Sequence, residues 1–210
     1  MSNACLEITE PPVSIDIARE RSYELPPALT SLSNGATVLD LGSGEGAYSF
    51  LAATAVGESG CVIGVETTPA MISQARMNLI QSRFCNVSFR LGELEYLPVS
   101  DQSIDVIISH YGINQSCNKT QVFREALRVL KPGGRLTIVE MVATQVLPEE
   151  VEENGVLMLD DIEDMLRAAE FDQIQSHIRP PRNGSHRGPA TNRAMKHLTA
   201  PVLIEAVKPA

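Results

Sequence analysis

The sequence predicts an α/β fold, with a parallel β-sheet covered by helices on both faces. Short β-branched runs alternate with segments whose apolar residues recur every three or four positions. The runs are apolar on both sides, as in strands buried on two faces. Between the first run and the first helical segment, VLDLGSGEGAYSF (38–50) places three glycines in the turn. Strands are expected at Ala36–Leu41, Cys61–Val65, Val87–Leu91, Ile104–Ser109 and Arg135–Val142, and helices at Ala47–Val56, Pro69–Gln81 and Lys119–Leu130. Pro69 suits a first helical turn, where its missing N–H would have no partner anyway. Repeated strand–helix–strand units imply right-handed crossovers between parallel strands.

The ends differ from this middle. Residues 1–34 carry prolines at 11, 12, 26 and 27 and weak periodicity, which predicts a lead-in or cap with one short helix near Ile15–Tyr23. The main domain then spans 35–210. Residues 148–172 hold ten acidic side chains and one basic one, Arg167, around a helical pattern at Leu157–Ala169. Two further strands are expected at Gln173–Ile178 and Val202–Val207. The loop between them, Arg179–Arg193, carries four arginines, which could attract an acidic small molecule or be ordinary solvated charge.

Composition narrows the partners. The 210 residues are 43% hydrophobic, enough for one substantial core, and their net charge of -9 argues against nucleic acid as a partner. No apolar stretch approaches the roughly 20 residues that cross a bilayer, so a soluble protein with no membrane partner is expected. Four widely separated cysteines, without a C-x-x-C pair or an apolar leader ahead of them, fit a reducing, cytoplasmic setting. Cys61 and Cys85 border strands and are expected as small core or edge residues. Cys117 falls on the rim after the fourth strand.

The glycine turn is the first candidate site. Gly42, Gly44 and Ala47 fit the dinucleotide pattern G-x-G-x-x-[GA], whose helix N-terminus would bind a pyrophosphate. Charge points elsewhere. Asp40 lies two residues before the first glycine, where a carboxylate would repel a pyrophosphate but attract the amino group or sulfonium of S-adenosylmethionine. Glu66, ending the second strand, is placed to accept hydrogen bonds from ribose hydroxyls, which fits either cofactor. Past the third strand, Gly92-Glu93-Leu94-Glu95-Tyr96-Leu97-Pro98 could address an adenine edge and cover its face, or be a solvated turn.

Taken in order and spacing, DLGSGEG, the acid of GVETTPAMI, GELEYLP and FREALRVLKPGGRL resemble a class I S-adenosylmethionine-dependent methyltransferase, closely over Thr37–Val142 and loosely to the C-terminus. VGESGCVIGVETTPAMISQAR, FRLGELEYLPVSDQSIDVIIS and Gly112-Ile113-Asn114 are similar to arsenite methyltransferases in particular, with the quinone-biosynthesis C-methyltransferases next. The resemblance implies a Rossmann-like, doubly wound sheet of seven strands, mostly parallel with an antiparallel last strand. It implies that Asp40, Gly42, Ser43, Gly44 and Gly46 line the methionine side of the cofactor, that Glu66 holds the ribose, that Thr67 and Met71 flank the adenosine, that Gly92, Glu93 and Leu94 meet the adenine, and that Ser109 and His110 lie beneath. Tyr48, His110, Tyr111 and Cys117 are candidates for the acceptor side. A histidine with its ordinary pKa near 6.5 could accept a proton there at neutral pH.

The departures bear on substrate. Arsenite methyltransferases share cysteines that bind As(III) as thiolates, the soft ligand that substrate needs. Here Ser49 stands at one such position, Ser22-Tyr23-Glu24-Leu25-Pro26 replaces another, the later cysteine-rich turn is reduced to Asn154-Gly155-Val156-Leu157-Met158, and His110 replaces an asparagine. The expectation is therefore a methyltransferase acting on a small-molecule acceptor, with no metal site. An arsenite or thiol methyltransferase with a reduced metalloid site, and a relative that binds the cofactor without methylating, are the alternatives.

Overall fold

The computed structural model describes residues 32–145, 156–178 and 198–210, together with Leu29. Its strands are β1 (Thr37–Leu41), β2 (Cys61–Glu66), β3 (Val87–Leu91), β4 (Ile104–His110), β5 (Leu130–Ala143), β6 (Asp172–Ile178) and β7 (Thr199–Val207). The helices are α1 (Ala47–Val56), α2 (Pro69–Gln81), α3 (Lys119–Val129) and α4 (Leu159–Ala168), with a 3-10 turn at Ile113–Gln115. The strands form one sheet in the order β3-β2-β1-β4-β5-β7-β6. β1 to β5 pair in parallel, whereas β7 runs antiparallel to both β5 and β6. This is the doubly wound, mostly parallel sheet with an antiparallel final strand that was expected.

Each face of the sheet buries its own core. On one side Leu39, Leu41, Ile107, Leu136 and Ile138 pack with Phe123 of α3 and Leu166 of α4. On the other, Val38, Val62, Val106 and Ile108 pack with Phe50 of α1 and Ile72 of α2. Central strands flanked on both sides in this way are apolar at most positions, which is why β1, β2 and β4 lack clean alternation. Pro69 occupies the first turn of α2, and the Asn118 side chain caps α3 by accepting from the Gln121 amide at 3.1 Å. Among the described residues, no helix is long and apolar enough to cross a membrane.

Several boundaries differ from expectation. β5 starts at Leu130 rather than Arg135, because its pairing with β4 jumps from Ile104↔Leu130 to Val106↔Arg135 and residues 131–134 bulge outward. The helix ahead of it therefore stops at Val129. β7 begins three residues before the expected Val202. Of the core or edge positions expected for Cys61 and Cys85, the structure gives the edge: both are exposed, Cys61 as the first residue of β2 and Cys85 ahead of β3. The expected helix at Ile15–Tyr23 and the arginine loop 179–193 lie outside the described residues.

Candidate functional site

The sheet order reverses between β1 and β4, and a crevice opens above the carboxyl ends of the strands there, where sheets of this kind take ligands. Gly42 follows β1 and Gly112 follows β4. A Cβ added to Gly42 would lie 2.9 Å from the Gly112 Cα, so the two backbones meet directly at the base of the cleft. Its walls are Glu66 and Thr67 after β2, Glu93, Leu94 and Glu95 after β3, and Gln115, Ser116 and Cys117 after β4.

The glycine turn shows where its amides point. Gly42 and Ser43 donate their N–H groups to Val65 O at 2.9 and 3.0 Å, and Gly44 donates to Glu66 Oε2 at 3.0 Å. Three successive amides are thus turned toward β2 rather than into the cleft, and a carboxylate receives one of them. These three amides are therefore not free to bind a phosphate. Glu66 Oε1 also accepts from the Thr68 amide at 2.9 Å and the Thr67 hydroxyl at 3.4 Å. Glu66 is nearly buried, and its bonds fix the carboxylate between the turn and the start of α2. A Cβ on Gly44 would meet nothing within 4 Å, so the side of the turn facing open space is bare backbone.

Asp40 is buried one step deeper. Its Oδ2 accepts from Ser49 Oγ at 2.6 Å, joining β1 to α1. Burial, with the Glu66 charge as a smaller contribution, pushes its carboxyl up to about 6 against the lowering effect of the Ser49 hydrogen bonds. The carboxyl is therefore largely ionised at neutral pH. Ser43 Oγ is buried without a hydrogen-bond partner, a polar atom left open beside the turn.

The remaining expected residues divide. Thr67, Glu93, Leu94 and Cys117 line the cleft together with Gly42 and Glu66. Gly46 is buried because Phe89 crowds it; an added Cβ would lie 2.5 Å from that ring. Gly92 packs on the Pro98 ring in the same way. Ser109 is buried and donates to Leu41 O at 2.9 Å, tying β4 to β1. Met71 lies on α2 with 41% of its surface exposed and is not part of the cleft wall. His110 stacks on Tyr48 at 4.4 Å and meets Tyr111 edge-on at 4.3 Å, a three-ring cluster at the end of β4. Tyr111 holds φ 59, left-handed backbone that a tyrosine rarely adopts. Burial pulls the His110 imidazole down to about 4, so it is neutral at neutral pH and a far weaker base than its ordinary pKa would make it. Buried in this way, it would accept a proton less readily than its ordinary pKa suggests.

Three residues that the sequence reading gave no role of their own shape the site. Glu95 accepts from the Ser116 hydroxyl, drawing the turn after β3 against the segment after β4. Gly112 cannot bear a side chain, since an added Cβ would lie 2.7 Å from Leu41 O. Glu140, 1% exposed in the middle of β5, accepts from the Ile113 amide at 2.7 Å. An acid inside the apolar run RLTIVEMV is a signal of a special site.

Residues 32–178 match the family described as Methyltransferase domain. The chain belongs to this family. It is 43% identical over 159 residues to the arsenite methyltransferase of Halobacterium salinarum, covering 71% of the chain and 41% of that relative. It is 34% identical over 125 residues to the demethylmenaquinone methyltransferase of Lactococcus lactis, covering 60% of the chain and 48% of the relative. A crystal structure of an arsenic(III) S-adenosylmethionine methyltransferase from Chlamydomonas reinhardtii superposes with a TM-score of 0.70 at 26% identity, covering 96% of this chain and 75% of that one. The chain is thus an S-adenosylmethionine-dependent methyltransferase domain by family. It spans less than half the length of these two curated relatives. Among the described residues, no group of three or more histidine, cysteine, aspartate or glutamate side chains is arranged to hold a metal ion.

Proposed function

We propose that the domain holds S-adenosylmethionine across the carboxyl ends of β1, β2 and β3 and methylates a small-molecule acceptor brought to the rim formed by residues 110–117. The observation that carries this is the direction of the glycine-turn amides. Because Gly42, Ser43 and Gly44 donate toward β2 and Glu66 faces them, the turn repels a pyrophosphate and accepts a ligand bearing hydroxyls and positive charge. The residues present fit the cofactor. Asp40, Gly42, Ser43 and Gly44 would lie along its methionine part, with Gly46 shaping the turn from behind. Glu66 would take the ribose hydroxyls with oxygens already oriented by amides. Thr67 would border the adenosine with Met71 near it, and Gly92, Glu93 and Leu94 would flank the adenine. Ser109 and His110 would support the site from below.

When bound, the cofactor supplies an activated methyl group on a sulfonium, so positioning of the acceptor in a dry pocket accounts for most of the rate. Tyr48, His110 and Tyr111 form a rigid aromatic cluster that could orient an acceptor. Neutral His110 suits an acceptor that needs no strong base. The charge of -9 supports a protein that engages no nucleic acid, and four widely separated cysteines without a C-x-x-C pair support a cytoplasmic one. The acidic acceptor suggested by the arginine loop has no support in the described residues.

Methylation of arsenite is the second reading, because of the sequence likeness to arsenite methyltransferases. The described cysteines give it little. Cys117 alone among them lines the cleft, Cys61 and Cys85 lie toward the amino ends of the strands, and Ser49 is committed to Asp40. Calorimetric titration with S-adenosylmethionine tests the main proposal: binding that Glu66→Ala abolishes supports it, and no binding to the intact chain rejects it. Labelled-methyl transfer to arsenite with glutathione, against a panel of O-, N- and C-acceptors, then separates the two readings. Tight cofactor binding without transfer to any acceptor would favour a non-methylating relative.

A further inference from the structure

The cleft wall after β4 is held in place from β5. Tyr111 donates its amide to Val139 O at 2.8 Å, Ile113 donates to Glu140 Oε1 at 2.7 Å, and the Asn114 side-chain amide donates to Met141 O at 2.8 Å. These contacts zip residues 111–114 onto 139–141, and Gly112, Gln115, Ser116 and Cys117 of the same segment line the cleft. Two atoms at this junction lack partners. Glu140 Oε2 and Asn114 Oδ1 are both buried and neither has a hydrogen bond. Both are acceptors if Glu140 is ionised, and buried acceptors without donors are costly. A proton on Oε2 would turn that oxygen into a donor at a junction where Asn114 Oδ1 is an acceptor without one.

We propose that Glu140 is a positioning residue: carrying its proton on Oε2 and donating it to Asn114 Oδ1, it locks residues 111–114 to β5 and so fixes the wall against which cofactor and acceptor are held. The surroundings favour the neutral acid. Burial pushes the Glu140 carboxyl up to about 8, against the backbone amides of Ile113 and Asn114 and the charge of Lys119 on α3. Lys119 is itself pulled down by burial, with Glu140, Cys117 and Glu95 opposing. Across β7, Glu140 faces Val202, and His110, paired with Val139 beside it, is neutral above about 4. Loss of the proton would leave a buried carboxylate with no donor for Oε2 and would loosen the segment.

The inference deepens the cofactor-site proposal, yet its primary readout needs no cofactor. In ligand-free protein, carbon-13 NMR of the glutamate side-chain carboxyls should show one resonance, absent from Glu140→Gln, titrating near 8. Asn114→Ala, which removes the acceptor of the shared proton, should lower that midpoint. Amide exchange of residues 111–118, corrected for intrinsic rates, should become several-fold faster above the midpoint in the natural chain. It should stay flat in Glu140→Gln, whose amide supplies a permanent donor. Cofactor affinity should follow the same difference between the two proteins, which cancels the ligand's own titration. A midpoint in the ordinary carboxylate range, or one that Asn114→Ala leaves unmoved, as a bridging water would, overturns the proposal.

Discussion

Gly42 and Gly44 look interchangeable in the sequence, but replacing each with alanine should have separable effects. Both have left-handed backbone, φ 71 and φ 53, where an alanine costs about 1–2 kcal/mol. For Gly44→Ala this is the whole expected loss of stability, since its Cβ would meet nothing within 4 Å. Gly42→Ala adds a clash. Its Cβ would come to 2.9 Å from the Gly112 Cα, a backbone atom rather than the flexible end of a side chain. Forcing an extra carbon into a packed contact costs roughly another 1–3 kcal/mol, so Gly42→Ala should lose about 2–5 kcal/mol in all. Urea denaturation at unchanged m-value reads both directly. Titration with S-adenosylmethionine reads the other half: the new methyl of Gly44→Ala would stand on the open shelf, and affinity should fall by about tenfold or more, worth roughly 1.4 kcal/mol. Equal stability losses would show that the Gly42–Gly112 contact is not tight. Full affinity in Gly44→Ala would show that the shelf is not where the cofactor lies.

Glu66→Ala removes the acceptor of the Gly44 and Thr68 amides and should cost about 1–2 kcal/mol of stability, together with cofactor binding, by denaturation and calorimetry. Asp40 titrates higher in the fold, at about 6, than in the unfolded chain, at 3.8, so the folded state holds a proton that the unfolded one has released. Its contribution to stability therefore falls as pH rises from about 4 to about 6, and Asp40→Asn should abolish that slope in denaturation series. His110 has the opposite sign. With its pKa lowered from 6.5 to about 4, the unfolded chain takes up the proton first, so stability drops as pH falls from 6.5 toward 4, and His110→Phe should flatten that limb while keeping the ring stack. Cofactor should shield Cys117 from iodoacetamide while leaving Cys61 and Cys85 reactive, as read by peptide mass spectrometry; equal labelling with and without cofactor would place Cys117 outside the occupied cleft.

How much of this was legible depended on how local each cause is. The strands were readable because β-branched runs in a two-faced sheet are apolar at most positions, and Pro69 marks a helix start by its own backbone chemistry. The bulge at 131–134 was not, because it is a slip in pairing with Ile104, a residue 26 positions earlier. Asp40 and Glu66 were found as acids at strand ends. The pull of burial on Asp40 and His110 was missed because it depends on what α1 and the neighbouring strands place around them.

The three glycines of the turn make the point most sharply. Gly42 is bare because Gly112 needs the space, Gly46 because Phe89 does, and Gly44 alone because that side of the turn is open. A motif of spaced glycines is therefore consistent with a phosphate cradle and with a turn whose glycine amides are taken up within the fold, and spacing cannot tell them apart. The deciding fact is the carboxylate of Glu66, received from β2 and bonded to the Gly44 amide. With that amide taken, the turn offers an anion one donor fewer, so what the glycine spacing leaves open is answered by where the amides point, and that is set by a residue 22 positions away.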